Sequence, residues 1–84
     1  MKIKILAVHD RALDAYMRPM FVPTIGAGIR AFQDEVNNPE SPMNKHPDDY
    51  DLFNLGDWDD NTGQFSQQPK PINIAVGKQL ITKE

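Results

Sequence analysis

Two kinds of residue in this 84-residue chain have types and spacings that can do chemistry, cations beside an aromatic ring and clustered aspartates. Lys2, Lys4, Arg11, Arg18 and Arg30 stand against only Asp10 and Asp14 in the first thirty residues. Tyr16 and Arg18 are two apart and share a face if they lie on a strand, as do Lys2 and Lys4. A ring flanked by cations is the surface on which single-stranded nucleic acid stacks its bases while the phosphates follow the charge. A plainer assignment puts Tyr16 in the core and makes the lysines charges that blunt a sheet edge. The sequence by itself leans to that plainer assignment.

The acids gather further along. Asp48, Asp49, Asp51, Asp57, Asp59 and Asp60 are half of the twelve acidic residues. Asp57, Asp59 and Asn61 fall at the first three ligand positions of a calcium loop. The pattern then fails, because Thr62 stands where the bend needs Gly and Gln68 where a bidentate Glu would close the cage. No metal site is expected. An ordinary hairpin turn accounts for Asp60, Asn61 and Gly63. As a solvated acidic surface, the hairpin Asp48–Asp60 is a candidate for docking on a basic partner, with Asp57, Asp59 and Asp60 as its contact residues.

Catalytic patterns fail in the same way. Ser41 and Ser66 sit in polar stretches without a base to activate them. His9 and His46 are the only histidines and have no helical spacing to a partner ligand. Gly26-Ala27-Gly28 lacks the third glycine and the Lys-Ser/Thr of a phosphate loop. Binding rather than catalysis is the expectation, with no cofactor.

The elements that would position these residues follow from periodicity. Lys2–Val8 alternates lysine and isoleucine and reads as a half-buried strand. Ala15–Val22 returns as a second strand, at an edge or interrupted at Pro19, which has no N–H for a ladder. A helical turn over Arg11–Met17 is the alternative. Thr24 caps a helix whose Ile25, Ile29, Phe32 and Val36 recur at helical spacing. Gly26 and Gly28 weaken its first turn, which suits a close approach to the sheet. Asn37 and Asn38 can adopt a left-handed cap, and Pro39 ends the helix. A polar loop runs over Pro39–Pro47, and Pro47-Asp48-Asp49 makes a tight or helical turn. Tyr50–Trp58 and Gln64–Gln67 form a hairpin, with Trp58 and Phe65 packed across it. Ile72, Ile74 and Val76 mark a last strand, and Gly77–Ile81 adds a turn of helix. The expected fold is a single α+β domain over residues 1–84, ordered β-β-α-β-β-β, with one amphipathic helix on an antiparallel sheet.

Size and composition bound the rest. At this length roughly 60–65% of the unfolded surface is buried on folding. The 39% hydrophobic content makes the core compact, so a homodimer or larger assembly is a natural way to enlarge it. The absence of cysteine excludes disulfides and thiolate metal sites. No apolar run has the length of a signal peptide or a membrane span, so a soluble protein outside the membrane is expected. A formal charge of −3 argues against binding nucleic acid by charge alone.

Several segments, in order, carry a family resemblance. They are His9-Asp10-Arg11, Ala15-Tyr16-Met17-Arg18-Pro19, Ile29-Arg30-Ala31-Phe32 with Val36-Asn37, and His46-Pro47-Asp48-Asp49-Tyr50-Asp51-Leu52. Leu55-Gly56, Asp59-Asp60-Asn61-Thr62-Gly63 and Pro71-Ile72 follow. Over nearly the whole chain this resembles the small nonstructural protein of the Microviridae, the gokushovirus-type phages with circular single-stranded DNA genomes. The resemblance implies a non-virion, DNA-binding protein of the infected host cytoplasm. Its implied task is to assist the switch from double-stranded replication to single-strand synthesis, with single-stranded DNA or a phage or host replication protein as partner. The resemblance supplies no base-contacting signature. Lys2, Lys4, Arg11, Arg18 and Arg30 for phosphate and Tyr16 for stacking rest on charge and placement.

Overall fold

The computed structural model describes residues 1–82. Nine residues of alternating and then wholly apolar character form β1 (Lys2–Asp10), the strand around which the sheet is built. On one side it pairs antiparallel with two short strands, β2 (Ala15–Tyr16) and β3 (Met20–Val22). On the other it pairs antiparallel with β4 (Tyr50–Asp59), which pairs in turn with β5 (Phe65–Val76). The order is β2-β1-β4-β5, with β3 beside β1.

The expected second strand is therefore two, broken where Pro19 interrupts the ladder. Met17 N–H still donates to Val8 C=O at 2.8 Å across the break. Arg11–Asp14 forms a turn, not the alternative helix. Asp14 is the one non-glycine residue at positive φ among the described residues. The two late strands expected on either side of Pro69 and Pro71 are one continuous β5. The prolines fit because Asn54 pairs with Ile72 and Gly56 with Gln67, so Gln68–Pro71 stand opposite Leu55 alone. No N–H is required of a proline in such a bulge. Gly56 makes the bulge possible. At φ +146°, a side chain there would collide with the backbone carbonyl of Ser66.

Helix α1 (Ile25–Val36) begins where expected, with Thr24 Oγ1 accepting from Ala27 N–H at 3.0 Å. Phe32 and Val36 are buried against Leu6, Val8 and Leu52. Gly28 sits over Leu6, so close that a methyl group in its place would overlap Leu6 Cδ1. The helix ends differently from expectation. Asn37 keeps φ at −95° instead of turning left-handed, because its side chain satisfies the helix end itself. Its Nδ2 donates to the carbonyls of Gln33 and Leu80, each at 2.9 Å, and its Oδ1 accepts from Thr82 N–H at 2.7 Å.

The polar loop after Pro39 holds a further short helix, α2 (Pro42–Lys45), capped by the buried Ser41. Met43 drops from it into the core. A 3-10 turn over Pro47–Asp49 leads into β4, and α3 (Gly77–Leu80) follows β5. The result is an α+β fold with one dominant helix on one face of an antiparallel sheet. Among the described residues no helix is long and apolar enough to cross a membrane.

Candidate nucleic-acid interface

Strand alternation decides which side chains share a surface. Leu6 and Val8 of β1 point at α1, so Ile5, Ala7 and His9 point to the face that carries no helix. Register extends that face outward. His9 is paired with Tyr16 of β2, and Ala7 with Phe53 of β4. The rings of His9, Tyr16 and Phe53 meet there. His9 and Tyr16 are edge-to-face at 4.7 Å, Tyr16 and Phe53 are tilted at 5.5 Å, and His9 and Phe53 lie 6.0 Å apart. Such pairs contribute about 0.5–1.5 kcal/mol each beyond simple burial. Tyr16 nonetheless keeps 42% of its surface exposed. It is not a core residue.

A second trio occupies the other end of the same face. Phe21 of β3, Trp58 of β4 and Phe65 of β5 lie 6.3–6.5 Å apart. With Ile3 and Pro23 they line an open groove of about 440 Å³. Trp58 and Phe65 are register partners across the β4–β5 hairpin, the cross-strand packing expected of them.

The cations are distributed less simply than the sequence suggests. Lys2 and Lys4 fall at even positions of β1, in the same alternation as Leu6 and Val8, and so on the face opposite Tyr16. Lys4 Nζ is paired with Asp57 at 3.1 Å. Arg11 is half exposed but already engaged within the chain. One of its nitrogens donates to the Asp48 carbonyl at 2.6 Å and another to the Asp51 carboxylate, which is only 5% exposed. Asn73 donates to the same carboxylate oxygen at 3.1 Å, while the other oxygen is buried without a partner among the described residues. Arg11 therefore holds the turn before β4 to the end of β1. Arg30 lies on the exposed side of α1, across the sheet from Tyr16. Arg18, two residues beyond Tyr16, is exposed and has no ion pair among the described residues. Of the five cations, Arg18 alone combines proximity in sequence to the ring with freedom from an ion pair.

The acidic hairpin is largely engaged as well. Asp57 is held by Lys4, and the N-terminal amine of Met1 is 2.9 Å from Asp60 and 4.0 Å from Asp59. The hydrogen bond to Asp60 raises the pKa of that amine, with the charges of both aspartates adding to it and solvent loss opposing. Asp59 also accepts from Asn61 N–H at 2.9 Å, closing the turn. Of the serines, Ser66 lies within β5 and Ser41 is a helix cap.

Sequence reasoning did not single out Phe53 or Phe21 and gave His9 no binding role. The period-2 pattern held a signal for all three, since each sits at the odd parity that alternates with Leu6 and Val8, Met20 and Val22, or Tyr50 and Leu52 on the helix side. A family model described as Phage ORF5 protein matches residues 3–80 of the chain. No curated protein and no solved structure matches it.

Proposed function

Because the chain belongs to the Phage ORF5 protein family, we propose that it is a phage nonstructural accessory protein that binds single-stranded DNA on the helix-free face of its sheet. The observation that carries this reading is the solvent-facing trio of His9, Tyr16 and Phe53, with Arg18 two residues away. Every base has a π-face, so a partly exposed ring packed against two others offers a stacking surface without sequence preference. Arg18 supplies a cation for phosphate, while Lys2 and Arg30 contribute charge from the other side. The protein acts by binding, not by catalysis, in the host cytoplasm. There it serves the switch to single-strand genome synthesis of a Microviridae-type phage.

Fluorescence anisotropy of labelled oligo-dT tests this. Binding is expected at low salt and falls as salt rises. Tyr16→Ala weakens it by about 1–3 kcal/mol, roughly 5- to 150-fold, as for loss of one stacked base. Arg18→Ala lowers the salt slope by about one. No anisotropy change at any salt would refute the proposal. The competing adaptor role for Asp57, Asp59 and Asp60 has less support, since Lys4 and the terminal amine already partner these acids. Neutralising them would abolish capture of a basic replication protein under that reading and leave DNA binding unchanged.

A further inference from the structure

A sheet edge is a row of unpaired backbone donors and acceptors, and folded proteins guard it with prolines, charges, breaks or bulges. Here one edge is guarded throughout. β2 and β3 are two and three residues long and are separated at Pro19. The other edge, β5, is guarded along only part of its length. Gln68, Pro69, Lys70 and Pro71 stand in the bulge opposite Leu55; neither proline nor charge lies in Ile72–Val76 after it, nor in Phe65-Ser66-Gln67 before it, the stretch that borders the groove. Its inner side pairs regularly with β4, with Ser66 opposite Asp57 and Gln67 opposite Gly56. Among the described residues its outer side pairs with nothing.

We infer that this stretch is a homodimer seam, where β5 of one chain pairs antiparallel with β5 of a second copy about a two-fold axis at Ser66. A strand satisfies such an edge, and this chain's own strand fits the symmetry. With the axis normal to the sheet, Ser66 faces Ser66 and Phe65 faces the second copy's Gln67, so each residue meets one on its own face. No charge is placed opposite a like charge, although each chain carries −3 overall. The groove joins the edge at the same place. Phe65 is 67% exposed and forms the outer wall of the space lined by Ile3, Phe21, Pro23 and Trp58. Pairing brings the two grooves side by side on one continuous face and gives Phe65 apolar neighbours from both chains. A three-residue ladder, Phe65–Gln67 of each chain, with one apolar contact is a small interface, so the association is concentration-dependent.

The chain has no cysteine, which allows a direct test. Under mild oxidation Ser66→Cys is expected to give a covalent dimer in high yield, while Asn61→Cys, in the hairpin turn, stays single. In sedimentation equilibrium the wild-type mass is expected to rise from 9.5 kDa toward twice that with concentration. Ser66→Lys, which sets like charges opposite each other at the axis, remains at one chain with an unchanged circular dichroism spectrum. A wild-type mass fixed at one chain up to millimolar concentration overturns the inference, as does a Ser66→Lys variant that dimerises like wild type. Equal oxidation of the two cysteine variants overturns it too.

Discussion

Tyr50 shows what a single side chain contributes. It opens β4 inside the core, and burial raises its phenol pKa above the ordinary 10.0, with the charges of Asp10 and Asp49 and a hydrogen bond to Asp10 adding to the rise. A group whose pKa is raised by folding contributes stability that is fully present below its unfolded value and lost as pH climbs through the folded one. Thermal melts are therefore expected to lose midpoint above about pH 10. Tyr50→Phe should flatten that alkaline loss relative to wild type. An equal loss in both proteins would assign it to other groups. At this scale the sequence is legible only in part. Tyr16 can be picked out as a ring near cations, but its neighbours depend on register. Nothing local in the sequence pairs His9 with Tyr16 on one side and Asp51 on the other. Arg11 shows the same limit. Its charge is visible in the sequence, whereas the buried carboxylate that occupies it lies forty residues away.

At the scale of elements, α1 is the part most fully written in the sequence, because its cap, its apolar period and its stop are all local. Its two glycines separate cleanly in the structure. Gly28 faces Leu6 with no room for a methyl group, whereas Gly26 has only Thr24 Oγ1 near, at 3.9 Å. Gly26→Ala is expected to stabilise the protein by up to about 1 kcal/mol through helix propensity. Gly28→Ala gains the same propensity but overpacks the contact with Leu6, and a net loss of about 1 kcal/mol is expected. Urea denaturation of the pair checks the difference, and equal midpoints would deny Gly28 its role in seating the helix. The strands are less legible. Proline chemistry predicts the break at Pro19, but the same chemistry misreads β5 as two strands. A bulge needs a partner strand to be seen, and Gly56, which supplies the bend, is only one glycine among five in the sequence.

At the scale of the whole molecule, α1 takes one face of the sheet and leaves the other to six aromatic rings in two groups. The fold class follows from the order of periodic segments. The division of the open face does not, because both groups combine residues from three strands. If the proposed DNA-binding patch and the β5 seam both operate, a dimer carries two Tyr16 patches on one continuous face. The second patch then engages at the high effective concentration set by tethering. Affinity is expected to rise steeply once an oligonucleotide is long enough to reach both patches. In a length series Ser66→Lys should remove that rise while keeping the affinity for short oligonucleotides. A parallel gain in the variant would show that the patches act singly.

The central position of β1 has a consequence for how the chain comes into being. Its first neighbours, β2 and β3, leave the ribosome almost with it, but its long partner β4 is some forty residues later in synthesis. Until then Leu6 and Val8 have only α1, Met20 and Val22 of β3 and Met43 to pack against, and one edge of β1 stays open to other nascent chains. Pairings so remote in sequence also slow spontaneous folding, toward the millisecond-to-second range of sheet-rich domains. The vulnerable interval for this protein is thus the stretch of translation between Val36 and Asp59, in which half a core waits for the strand that completes it.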